Sequence, residues 1–256
     1  MPSSLLLLAL TAQTAFPPLA APVRLDRLTV AATPNASVRA ATLPEAADLS
    51  TPRTFHFICV VTRRGGRMGD CIDAAPWRNM DLSAFQALAL QQADAASEEP
   101  LRKAARARLA FYRVRLSLDQ EKAETLPTVF IDETVRHDDR PAPPPAAEAI
   151  MASDLEFTER PDAATLASYY PILGLRLGAT ARVSVQCHIL PSGHLFCDQG
   201  AIVAGGGTGA GTTGLNQSFI LATYQALGSM RVAGVAKGDV PIAGRTVKLT
   251  MNWALP

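Results

Sequence analysis

The chain has no excess of either charge: 24 Lys and Arg stand against 23 Asp and Glu, a net charge of +1 over 256 residues. The broad positive field that nucleic acid or an anionic membrane surface needs is missing, and no nucleic-acid partner is expected. Aromatic side chains are scarce at 6%, with Trp77 and Trp253 far apart, which leaves no stacking platform for bases or sugars. Long apolar runs are missing too. The run at residues 5–10 is followed by Gln13, Thr14, Pro17 and Pro18, well short of the ~20 apolar residues that span a bilayer. The glycine run of residues 205–214 leads to Leu215 and Asn216, where a phosphate loop has Lys and Ser or Thr, so a mobile connection is expected there. No Gly-x-Ser-x-Gly elbow occurs, and no nucleophile stands in a recognisable catalytic setting. These absences point away from an enzyme and from any cofactor.

What is present is core-forming: 48% apolar residues, against 18% charged, suffice for one or two packed domains. Residues 1–21, MPSSLLLLALTAQTAFPPLAA, have a short apolar run and then small residues. They read as a signal peptide cut near Ala12, or near Ala20 and Ala21, with an uncleaved tether as the alternative. The four cysteines are an even number, which in an exported chain favours disulfides over four buried thiols.

Their positions choose the pairing. Residues 55–71, FHFICVVTRRGGRMGDC, are two β-prone runs around Gly65-Gly66, and residues 182–198, RVSVQCHILPSGHLFCD, are two more around Pro191-Ser192-Gly193. Each is a hairpin with one cysteine per strand, so the chain reads as two diverged copies of one unit. Centring the turns on Gly65 and Ser192 puts Cys59 opposite Cys71 and Cys187 opposite Cys197, near disulfide reach. The same alternation sends His188 to the face opposite Cys187 and His194 opposite Cys197, so the Cys-His spacing predicts two exposed histidines and no metal site. His56 and His137 stand alone. Asp70, Asp73, Asp132, Glu133, Asp138 and Asp139 fall near turns and strand ends, where solvation explains them. The Asn35-Ala36-Ser37 sequon lies in a polar stretch and carries no further meaning.

Each hairpin precedes a helix and a further strand. In the first half these are helices over residues 82–96 and 101–109, interrupted at Pro100, then strands over residues 111–118 and 128–135. In the second half they are a helix over residues 216–227 and strands over 230–235 and 245–253. The expected fold is α+β: two small antiparallel sheet units of β-β-α-β type, each with its helix on one face. The units span residues 53–136 and 154–256, with a Pro-rich linker at 137–153.

Tyr170-Pro171 is followed by Gly174, Arg176 and Gly178, a strand and a glycine turn at Gly193. A helix over residues 215–227 comes next, then Met230-Arg231-Val232, Val240-Pro241 and a terminal strand ending at Trp253. In this order and spacing, residues 170–253 resemble the TonB C-terminal domain family, and the first half resembles it faintly. The chain departs from the family in its longer glycine loop and in having Met230 and Val232 where aromatics are usual. The resemblance implies a periplasmic, non-enzymatic protein linked to transport across the envelope. It implies capture of an extended peptide, such as an outer-membrane receptor segment, as an added strand. The edge expected to bind is Thr246, Val247, Lys248, Leu249, Thr250 and Met251; an ordinary edge kept soluble by Lys248, or one paired internally or in a homodimer, is the alternative. The Pro-rich piece, at ~3.1 Å per residue, is too short for the periplasmic span of an energy transducer.

Overall fold

The computed structural model describes residues 20–45, 47–63, 65–74, 99–140, 148–207 and 212–255. Residues 1–19 of the expected leader, the expected helix over 82–96, the Pro-rich residues 141–147 and residues 208–211 of the glycine run lie outside them.

The first sheet grows from alternation. Strand β3 (Arg53–Val61) turns Phe55, Phe57, Cys59 and Val61 inward. Gly65 and Gly66, at φ 77° and 56°, reverse the chain in a region open mainly to glycine. Strand β4 (Met68–Asp73) then returns with Cys59 opposite Cys71. On the other side of β3 lies antiparallel β6 (Thr128–Val135), and beyond it the short parallel β1 (Val23–Arg24), giving the order β1-β6-β3-β4. Helix α2 (Pro100–Leu109) starts on Pro100, where a missing N–H costs nothing, and lays Leu101, Ala105 and Leu109 on the inner face. Burying each such leucine contributes roughly 1.5–3 kcal/mol.

The second sheet repeats this plan. Strands β9 (Ala181–Ile189) and β10 (Leu195–Gly205) form its hairpin, with Cys187 opposite Cys197. Antiparallel β14 (Thr246–Trp253) and the short parallel β7 (Ala149–Ile150) complete the order β10-β9-β14-β7. Helix α6 (Thr213–Gly228) covers its inner face through Leu215, Phe219, Ala222 and Ala226. Smaller parts match as well. Strand β2 (Thr29–Ala32) pairs with β5 (Arg113–Arg115), as β8 (Phe157–Glu159) pairs with β11 (Arg231–Val232). Bridges join Arg67 to Arg113 and His194 to Arg231. A small hairpin of β12 (Val235–Ala236) and β13 (Val240–Pro241) precedes β14.

The two sheets are separate but the halves interlock. Helix α1 (Ala36–Thr42) of the first half inserts Val38 into the second core, beside Phe111. Its capping Asn35 donates to the Tyr224 carbonyl at 2.9 Å, and its amide donates to Gln225 Oε1 at 3.0 Å. In the other direction, Arg67 donates to the carbonyls of Ala167 and Tyr170, each at 2.9 Å, and Arg113 to that of Ser168 at 2.6 Å. These carbonyls end helix α4 (Ala163–Tyr169), the negative pole of its dipole,. Both arginines are buried, with no carboxylate partner among the described residues. Burial holds both guanidinium pKa values down, that of Arg113 to about 9 with repulsion from Arg67 adding to it.

Several expectations are corrected. The first unit starts before residue 53, because β1, β2 and α1 belong to it. Ala20 donates to the Leu126 carbonyl at 3.0 Å, and its own carbonyl accepts from Thr128 Oγ1 at 2.8 Å, contacts that do not bear on the expected leader. The expected linker contains a 3-10 turn at His137–Asp139 and strand β7. The strand expected over 111–118 shortens to β5 because the Ser117 capping box opens helix α3 (Leu118–Lys122),. Strand β10 runs on to Gly205, the first residue of the expected glycine connection.

Candidate functional site

Hydrogen-bond parity decides which main-chain groups of β14 are free. Ile189 donates to the Arg245 carbonyl at 2.9 Å and accepts from Gly244 at 2.8 Å. Bonded and non-bonded pairs alternate along an antiparallel ladder, so Val247, Leu249, Met251 and Trp253 bond to β9 in the observed register. Thr246, Lys248, Thr250 and Asn252 turn their N–H and C=O groups the other way. The Thr246 amide accordingly donates to the Glu148 carbonyl at 3.2 Å, and the parallel register of Val247 on Ile150 takes up the Lys248 amide. The Lys248 carbonyl and both groups of Thr250 and Asn252 have no main-chain partner among the described residues and face an open edge. Of the six residues expected to bind, Thr246 and Val247 are thus already covered by β7; the open stretch is displaced to Lys248–Asn252.

On β4 and β10, side chains satisfy individual outward main-chain groups near the cysteines. Arg106 of α2 donates to the outward Cys71 carbonyl of β4 at 2.7 Å. On β10, Ser37 of α1 accepts from the outward Cys197 amide at 2.8 Å, and the Tyr224 hydroxyl accepts from Gly200 at 2.7 Å. Unpaired strand edges invite adventitious pairing, and side chains that satisfy their amides and carbonyls block it. The first sheet also has outward main-chain groups at Asp132 and Thr134 of β6. There the intervening inward residue is Glu133, 1% exposed and locked in ion pairs; its counterpart on β14 is the half-buried Met251. On β14 the free groups thus lie beside partly buried apolar surface.

Tyr170 and Pro171 position this edge and do not contribute to it. Tyr170 is buried edge-on to Phe219, with centroids 5.6 Å apart, and to Trp253 at 5.8 Å. Its hydroxyl donates to the Ala179 carbonyl, and desolvation raises its pKa. Pro171 caps helix α5 (Ile172–Leu177). Trp253 completes the anchor by donating from Nε1 to Thr223 Oγ1 at 2.8 Å. The end of β14 is thereby pinned to the core while its free side stays open.

Cys59 is disulfide-bonded to Cys71 and Cys187 to Cys197, with Cα atoms 4.0 and 3.9 Å apart. The histidines depart from expectation. His188 is only 9% exposed and lies 3.4 Å from Asp198, where flanking Phe196 and Thr246 crowd it. His56 does not stand alone: its Nδ1 lies 2.7 Å from Asp132 Oδ1. Glu133 and Asp139, expected to be solvated, are 1% and 6% exposed. They meet Arg108, itself fully buried, at 3.3 and 2.8 Å, with Arg39 at 3.5 and 3.6 Å. One signal was available: in residues 128–135 the inward alternation reads Val129, Ile131, Glu133, Val135, a carboxylate in an apolar register. The roles of Asn35 and Ser37 had a cue too, since Asn, Ser and Thr favour helix starts.

Among the described residues no group of three or more His, Cys, Asp or Glu side chains could hold a metal ion. No helix among them is long and apolar enough to cross a membrane. A cavity of about 240 Å³ beside β1, lined by Val23, Leu28, Leu116 and Val129 among others, brings no catalytic constellation together. No protein-family model matches the chain, and no curated protein or solved structure is significantly similar to it.

Proposed function

We propose that this chain is a non-enzymatic, periplasmic binding module that takes up an extended peptide, such as a segment of an outer-membrane receptor, as an added strand along Lys248–Asn252. The observation that carries the reading is the run of main-chain groups on β14 that have no partner among the described residues and lie beside the partly buried Met251. The resemblance of residues 170–253 to the TonB C-terminal domain family supports the same mode of capture. A net ~0.5–1.5 kcal/mol for each of the few main-chain bonds, together with apolar contact at Met251, is largely offset by the entropy lost on association, so the complex is expected to be weak and transient.

Thr250→Pro tests this directly. It deletes an outward N–H that β9 does not use, and proline is tolerated at such edge positions. Titration of the isotope-labelled chain with synthetic periplasm-facing receptor segments should show shifts centred on residues 248–252. Thr250→Pro should weaken binding at least tenfold and leave the melting temperature within a few degrees. Unchanged binding by that variant would refute strand addition here. A dimer that Thr250→Pro dissociates would replace the peptide with a second copy of the chain.

A further inference from the structure

The face beside the open edge carries charge of one sign. Lys248 and Arg182 are both exposed, and neither has an ion-pair partner among the described residues. Lys248 stands opposite Gln186 and Asn252 opposite Arg182, so the two cations flank the open stretch at its two ends, ~14 Å apart along the strand. The other outward residues of β14 and β9 there are Thr250, Ser184 and Gln186, all neutral. Asp198 is across the sheet on β10 and within 3.4 Å of His188, while Glu148, just before β7, is paired with Arg245 at 3.1 Å and Asp154 ends the 3-10 turn at Ala152–Asp154. The opposite face is apolar, with Leu249 8% exposed and Met251, Ile150, Phe157 and Leu166 partly buried around the same core.

An added strand projects alternate side chains to these two faces. On the outward side its residues come within ~5 Å of Lys248, Thr250 and Asn252 at Cβ, with the long Arg182 side chain in reach. On the inward side they meet Met251 and its neighbours. Resting on the strand-addition reading, we infer that the captured segment alternates apolar with acidic residues, the carboxylates directed to Lys248 and Arg182.

The test uses the full chain and two labelled octapeptides, one alternating valine with glutamate, the other valine with lysine. Anisotropy titrations are run at about 0.01 M and about 1 M salt, where screening lengths are about 30 and 3 Å. An exposed ion pair changes affinity about 1.4- to 5-fold, so attraction at two sites against repulsion at two sites gives on the order of tenfold preference for the acidic peptide at low salt. High salt should erase it. The double substitution Lys248→Glu with Arg182→Glu should invert it, and because both side chains are exposed the melting temperature should hold. Equal binding of both peptides, or a preference for lysine, overturns the acidic assignment while leaving strand addition in place. No binding of either peptide, or binding that Thr250→Pro does not weaken, overturns strand addition itself.

Discussion

Arg108→Met probes how firmly the first half holds the helix that closes an edge of the second. Arg108 is fully buried and donates to Thr42 Oγ1 at 3.0 Å, the Arg39 carbonyl at 3.0 Å, Glu133 Oε1 at 3.3 Å and Asp139 Oδ2 at 2.8 Å. Methionine keeps most of the volume and removes every one of these bonds. Glu133 then keeps the Tyr112 hydroxyl and Asp139 the Arg136 amide at 3.0 Å, but the cation left to them among the described residues is Arg39, which is 26% exposed and no nearer than 3.5 Å. Stranding a buried carboxylate in this way costs about 3–5 kcal/mol, a large share of the ~5–15 kcal/mol that folding leaves over. Adding Glu133→Leu removes one stranded charge, so the double variant should recover about 1–2 kcal/mol of the loss. Urea unfolding followed by circular dichroism reads both. Because Arg108 anchors the end of α1 whose Ser37 caps Cys197, amide exchange at Cys197 should also accelerate in Arg108→Met. A loss below ~1 kcal/mol, or a double variant no more stable than the single one, would refute the claim that this charge network holds α1 in place.

Other outcomes follow from single contacts. Replacing Cys187 and Cys197 together by Ser opens a crosslink with a sequence separation of 10, and should cost about 3 kcal/mol in urea unfolding. Gly66→Ala places a Cβ 1.7 Å from the Val114 carbonyl oxygen at φ 56°, whereas Gly65→Ala, at φ 77°, meets nothing. The first should lose clearly more than the ~1–2 kcal/mol of left-handed strain that limits the second, and equal losses would show that the contact is relaxed away. Tyr112 has its pKa raised, first by burial and then by Glu133. Above about pH 10 the unfolded chain ionises this phenol while the folded chain keeps it protonated, so stability present below pH 10 falls by up to ~1.4 kcal/mol per pH unit. Tyr112→Phe should flatten that decline in melts between about pH 9 and pH 11; Tyr170 and Tyr224, raised in the same direction, retain part of it.

The legible part of the fold was local. Alternation and turn residues were enough to place β3, β4, β6, β9 and β14, and to set Cys59 against Cys71 and Cys187 against Cys197, because a two-residue period and a tight glycine turn fix a hairpin's register. The duplication was legible from the hairpins alone. The parts that were missed depend on distant partners: β1 and β7 are two residues each and exist only by pairing in parallel with a strand far along the chain. The buried charges were missed for the same reason, since Arg108 and Glu133 read as surface residues until the fold sets them against each other.

By itself the sequence determined the hairpins, their disulfide pairing, the core faces of the main strands and the near-neutral surface, all properties of short segments or of composition. Only the tertiary structure decided which edge stays open. Two residues of β7 cover the start of β14, Arg106 and Ser37 each satisfy an outward group of β4 and β10, and each of these contacts joins residues at least 35 positions apart. An edge is defined by what fails to pair with it, and that is settled only when the whole chain has folded.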